Sequence, residues 1–176
     1  MLSSVKGDIL NNKLILLFVF DKMEVPLTQD TIEEMCCSAN DWLSFMDCKP
    51  TLSQLLDAGL IYKLNNTQKP LYAITHNGRV CLADFFTTIP SSIREKISQF
   101  VKRNKNKYRK KQEYVADYFM NNDGTYTVYL KIVEAAGVQF ELKFVVPSRQ
   151  MAKDIYSKWP NKAESAYAII YDNLID

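Results

Sequence analysis

The chain has 176 residues, enough for one ordinary domain or two small ones. It is 47% hydrophobic and 24% charged with only five Gly and six Pro, a balance that excludes collagen, low-complexity linkers and disordered tails. The longest strictly apolar run, residues 14–20, falls far short of the roughly 20 residues of a membrane-spanning helix, so no membrane partner is expected. The opening MLSSVKGDILNNK lacks a signal-peptide pattern. Cys36, Cys37, Cys48 and Cys81 make no dense disulfide framework, which points to a reduced, cytoplasmic setting.

Residues 9–23 read as a buried helix, because their apolar run is longer and richer in Leu than a typical strand. Thr28 is the expected N-cap of a second helix reaching about Ser38, with Leu27 and Ile32 as its hydrophobic staple. Trp42, Leu43, Phe45 and Met46 suggest a short strand before Asp47 caps a third helix. There Leu52, Leu55 and Leu56 face the core, and Gly59 ends the helix. Residues 60–64 and 71–75 read as a hairpin around NNTQKP, Thr75 opens a fourth helix, and a long helix follows Pro90 with Ile93, Ile97, Phe100, Val101 and Tyr108 as its apolar stripe. From about Gln112 the period becomes two, giving a three-stranded antiparallel meander with turns at Asn122-Asp123-Gly124 and Ala135-Ala136-Gly137. Two helices are expected to close the chain. The first is capped by Ser148 with Ala152, Ile155, Tyr156 and Trp159 inward, and the second starts at Asn161 with Glu164 completing a capping box. The expected class is α+β, with units at 1–89, 90–111 and 112–176.

Charge is unevenly placed. Residues 1–90 hold seven Lys/Arg against ten Asp/Glu, a net −3; residues 91–112 hold nine against one, a net +8; residues 113–176 hold six against nine, again −3. The densest stretch, KRNKNKYRKK at 102–111, suits a phosphate backbone, and equally a solvated helix face.

The order of three helices, hairpin and helix, with Leu52-x-x-Leu55-Leu56-x-x-Gly59-Leu60-Ile61 and Tyr72-x-Ile74-Thr75-x-x-Gly78-x-x-x-Leu82, resembles bacterial winged helix-turn-helix regulators of the PadR and MarR type over residues 8–88. Taken whole, the chain resembles an uncharacterised domain family of Gram-positive bacteria, a winged helix followed by a small α+β domain. The winged-helix resemblance implies duplex DNA as partner, with the third helix in the major groove and the wing on backbone or minor groove. Residues matching the first role are Lys49, Thr51, Ser53 and Gln54, taken as the outward side of that helix; those matching the second are Lys63, Asn65, Asn66, Gln68 and Lys69. The helix has no Arg, and Asp47 and Asp57 bracket it, so phosphate neutralisation is expected from the basic helix, chiefly Lys102, Arg103, Lys105 and Lys107. A homodimer is expected, since two-fold proteins read two-fold sites.

The competing reading is a protein-docking winged helix whose basic helix pairs with acidic surfaces. An enzyme is disfavoured: His76 is the single histidine, and no G-x-S-x-G, P-loop, G-x-G-x-x-G or H-E-x-x-H occurs, so no catalytic residue, metal ligand or cofactor is expected. The adjacent Cys36 and Cys37 lack metal-knuckle spacing and read as buried small hydrophobes. Depending on strand register, Tyr114, Tyr118, Tyr129 and Val133 lie on the sheet face away from Val128 and Leu130, where they would line an interface or an effector pocket, or they are packed in the core.

Overall fold

An apolar run with no polar break makes a helix that must be buried all round. In the computed structural model, which describes residues 2–65, 69–134 and 137–175, α1 spans Leu2–Met23, and every side chain from 14 to 20 is at most 2% exposed. After β1 (Leu27–Thr28), Thr28 caps α2 (Gln29–Glu33), its Oγ1 accepting from the Thr31 amide at 3.2 Å. A cap of this kind is worth about 1 kcal/mol. The helix then widens into a π-helical turn, Glu34–Ser38, that buries Met35, Cys36 and Cys37. Burial raises the Cys36 thiol well above its ordinary pKa and pushes Cys48 up to about 12, so both are neutral packing groups.

The expected strand at 42–46 does not form. The amides of Trp42 and Leu43 both donate to the Cys36 carbonyl, at 2.7 and 3.1 Å, folding this stretch back on the π-helical turn. Ser44, not Asp47, caps α3 (Phe45–Asp57). Its Oγ accepts from the Asp47 amide at 3.1 Å and donates to the Asp47 carboxylate at 2.6 Å. The Ser44 hydroxyl thus holds both the amide and the carboxylate of the residue three positions on, and each of the two polar residues carries a cap's sequence signature.

α3 stops at a glycine held in the left-handed region, Gly59 at φ 67°. The Leu60 amide reaches back to the Leu55 carbonyl and the Gly59 amide to that of Leu56, both at 3.0 Å, the paired bonds of a Schellman stop. β2 (Ile61–Leu64) and β3 (Leu71–Ile74) follow at once, and the antiparallel sheet has the order β1-β3-β2. The Leu60 carbonyl ties the next element to this corner. It accepts the Thr75 amide and the Thr75 hydroxyl, each at 3.0 Å, while that hydroxyl accepts the Gly78 amide and caps α4 (His76–Phe85). A Cβ at Gly78 would lie 2.1 Å from the Leu60 oxygen, so only glycine lets α4 start this close.

A 3₁₀ turn (Phe86–Thr88) leads into α5 (Ser91–Glu113), whose stripe Ile97, Val101 and Tyr108 is buried. Arg94 lies 4.5 Å over the Phe86 ring, and Phe100 meets Trp42 edge-on at 5.5 Å. The chain divides into two compact units, Met1–Lys105 and Asn106–Asp176, and α5 runs from one into the other. Among the described residues no helix is long and apolar enough to cross a membrane.

The second unit is a meander of β4 (Tyr114–Met120), β5 (Tyr126–Glu134) and β6 (Gly137–Val146), joined first by a turn with Gly124 at φ 83°. Ala135 and Ala136 of the second expected turn lie outside the described residues. The register pairs Tyr114 with Ile132, Ala116 with Leu130 and Tyr118 with Val128, so Tyr114 and Tyr118 share a face with Val128 and Leu130. Of the two placements the alternation allows, the register selects the core for both. They pack beneath the final helix with Ala152, Trp159 and Ala163, while Tyr129 keeps to the opposite face. That helix, α6 (Arg149–Ile175), is one element and not two. Pro160 deprives it of one backbone donor, yet Trp159 and Ala163 on either side of the proline are both buried against the sheet, which offsets the missing bond. Glu164 therefore closes no capping box; its carboxylate accepts the Tyr114 hydroxyl at 2.7 Å.

Two outcomes follow for stability. Gly78→Ala is expected to cost about 3 kcal/mol through overpacking, and Gly59→Ala about 1 kcal/mol through the left-handed backbone alone, measured by urea denaturation. In the second unit, burial first and the Glu164 bond next push Tyr114 up to about 12. Its folded pKa lies above its unfolded value, so its contribution is complete below pH 10 and fades as pH rises towards 12. Tyr114→Phe should flatten that alkaline loss in denaturation midpoints taken between pH 9 and 12.

Candidate nucleic-acid interface

α3 is amphipathic, and its buried stripe decides which side chains face out. Cys48, Thr51, Leu52 and Leu55, at i, i+3, i+4 and i+7, are buried, with Leu56 half-buried at the margin. Thr51 is only 4% exposed. Its expected place among the outward residues is corrected: with Cys48 as the first residue of the stripe, the inner face rotates towards Thr51. Lys49, Ser53 and Gln54 are exposed as expected, with Pro50 and Asp57.

Met46, Pro50, Ser53 and Asp57, at i, i+4, i+7 and i+11, run down the middle of the outward face, with Lys49 and Phe45 on one flank and Gln54 on the other. Phe45 and Met46 are absent from the expected site, since an expected strand claimed them. In α3 they are 59% and 85% exposed, two large apolar side chains on the first turn of a capped helix. The signal that would have found them is Ser44 three residues before Asp47, which starts the helix at Phe45.

The hairpin leaves α3 directly through Gly59. Lys63 and Asn65 are exposed on it; Asn66 and Gln68 lie outside the described residues. Lys69 is exposed but forms an ion pair with Asp30. On α5, Lys102, Arg103 and Lys107 are exposed. Lys105 is half-buried and turned to Glu24, whose carboxyl it holds below the usual range through a hydrogen bond and its charge. Two of the expected phosphate-binding cations, Lys69 and Lys105, thus already have carboxylate partners in the chain. His76 is exposed on the first turn of α4.

In the second unit, the sheet face opposite α6 carries Phe119, tilted against Tyr129 at 5.5 Å, with the Lys143 ammonium 5.0 Å over the Tyr129 ring. Phe119 and Val145 are about half exposed, while Val133 is buried.

The two threonine and serine positions on α3 give a direct check of orientation. Thr51→Lys would bury an unpaired charge and is expected to cost about 3 kcal/mol or more, whereas Ser53→Lys should stay within about 0.5 kcal/mol in thermal or urea unfolding.

Residues 12–174 match the model of a family described as a domain of unknown function, DUF4364. No curated protein and no solved structure matches the chain.

Proposed function

We propose that the chain, which belongs to the DUF4364 domain family, is a duplex-DNA-binding regulator built on a winged helix-turn-helix. The order α1-β1-α2-α3-β2-β3-α4 with a β1-β3-β2 sheet supports this reading. The observation that carries it is α3, a capped helix whose exposed face holds Lys49, Ser53 and Gln54 and which passes through a Schellman stop into an exposed hairpin. Gln offers a bidentate pair to adenine, Lys reaches guanine or phosphate, and Ser serves either. Lys63 and Asn65 stand where a wing meets backbone.

The acidic surroundings of α3 leave affinity to the part of α5 in the same unit, where Lys102 and Arg103 supply exposed positive charge. The protein acts in the cytoplasm as a homodimer that reads a two-fold site. A mass in light scattering equal to one chain at micromolar concentration would reject the dimer.

Selection of random duplexes by the purified protein, followed by salt titration, tests the division of labour. Ser53→Ala/Gln54→Ala should flatten sequence preference. Lys102→Glu/Arg103→Glu should weaken binding to all duplexes and reduce the slope of log affinity against log salt by about 2. A second reading, a docking module without DNA binding, is favoured by the exposure of Phe45 and Met46. It predicts no duplex retained at moderate salt.

A further inference from the structure

An antiparallel sheet with one face on a helix and the other in water should turn polar side chains to the water. The sheet of the second unit does so only in part. On the face turned away from α6, Phe119 and Val145 are 48% and 59% exposed, and Tyr129 is half-buried, so apolar groups occupy all three strands. The charges on this face balance, with Asp117 and Glu141 against Lys131 and Lys143. A phosphate backbone needs an excess of cations, whereas an apolar centre with both signs around it suits a protein surface. Lys131 and Glu141 pair within the sheet at 3.5 Å. Asp117 and Lys143 are in no ion pair among the described residues, although both are exposed.

Strand register arranges these groups in rows across the sheet. Asp117, Tyr129 and Lys143 form one row, and Phe119, Thr127 and Val145 the next. In each row the outer strands carry complementary groups on either side of β5: opposite charges in the first, two apolar side chains in the second. Two sheets packed face to face lie about 10 Å apart, close enough for such side chains to meet. A two-fold axis running along β5, midway between two copies of this face, exchanges β4 with β6 and keeps every residue at its own level. It therefore sets Asp117 against Lys143 of the other copy twice, and Phe119 against Val145 twice, with Tyr129 on Tyr129 at the centre. The third row, Val115, Lys131 and Glu141, adds no such match, but its charges are already paired within each copy. An axis laid across the strands through the first row does the reverse and puts Asp117 on Asp117. The rows thus have the self-complementarity of an isologous interface, in which one patch serves as both partners.

We infer that the open face of the β4-β5-β6 sheet is where a second copy of the chain docks, about a two-fold axis along β5 that pairs Asp117 with Lys143 and Phe119 with Val145. This names the surface of the homodimer proposed above and rests on that dimer alone, since it needs no duplex.

Exchange of charge between copies tests it. Lys143→Asp makes both positions acidic, and Asp117→Lys makes both basic. Either variant alone sets like charges face to face twice, so its dimer dissociation constant in sedimentation velocity should rise at least about tenfold. An equimolar mixture of the two restores both attractive pairs, and a heterodimer should form with a dissociation constant within about threefold of the wild type's. Thermal unfolding checks that these exposed changes leave the fold intact. Single variants as dimeric as the wild type, or a mixture that stays monomeric, would overturn this interface and assign the dimer to another surface. A wild type that sediments as one chain at micromolar concentration would overturn the homodimer and this inference together. Loss of the DNA reading alone, with no duplex selected by a dimer that responds as described, leaves the interface standing.

Discussion

One carbonyl oxygen, that of Leu60, fixes how the candidate reading surface is presented. It lies one residue past the stop of α3 and receives both the amide and the hydroxyl of Thr75. It also presses on the glycine that opens α4, closely enough that no Cβ fits between them. Three elements meet at that atom. The end of α3, the strand β2 and the start of α4 cannot shift independently while these bonds hold, because the same few half-buried polar groups link all three. The spacing Gly59-Leu60 followed by Thr75-x-x-Gly78 is therefore a geometric requirement of the corner, and it gives a physical meaning to the two segments on which the resemblance to winged-helix regulators rests. What it delivers is an α3 whose outward face is held at a fixed angle to the hairpin.

Electrostatics set the terms on which that face can work. Several cations in the first unit are already matched: Lys69 by Asp30, Lys105 by Glu24, and Arg79 by Asp21 at 3.2 Å. Exposed pairs like these contribute little to stability, but they lower the positive potential available to a phosphate backbone. An affinity built on Lys49, Lys63, Lys102 and Arg103 is modest in charge and correspondingly sensitive to salt. On the DNA reading proposed above, specificity rests on short-range contacts from the exposed side chains of α3.

Much of the architecture was legible because local signals and the global fold agreed. Thr28 and Thr75 cap the helices their sequences announce, Gly59 takes the left-handed stop, and strict alternation places β5 and β6. The misplacements have physical causes. Ser44 and Asp47, three apart, each look like a cap, so the sequence there is compatible with an α3 that starts three residues late. That delay hid Phe45 and Met46. The polarity of Thr51 points outward, although helical spacing from Cys48 puts it inside. The capping-box pattern of Asn161 and Glu164 suggests a new helix start, but burial of Trp159 and Ala163 on one stripe outweighs the hydrogen bond lost at Pro160. The faces of Tyr114 and Tyr118 depended on strand register, which alternation within a single strand does not contain.

The most direct measurement is the response of backbone amides in solution NMR as a selected duplex is titrated in. The account predicts shifts concentrated on 45–54 and on the outward positions 102–103 of α5, with residues 126–146 of the second sheet unmoved. Perturbations confined to the sheet around Phe119 and Tyr129, with α3 unaffected, would contradict it.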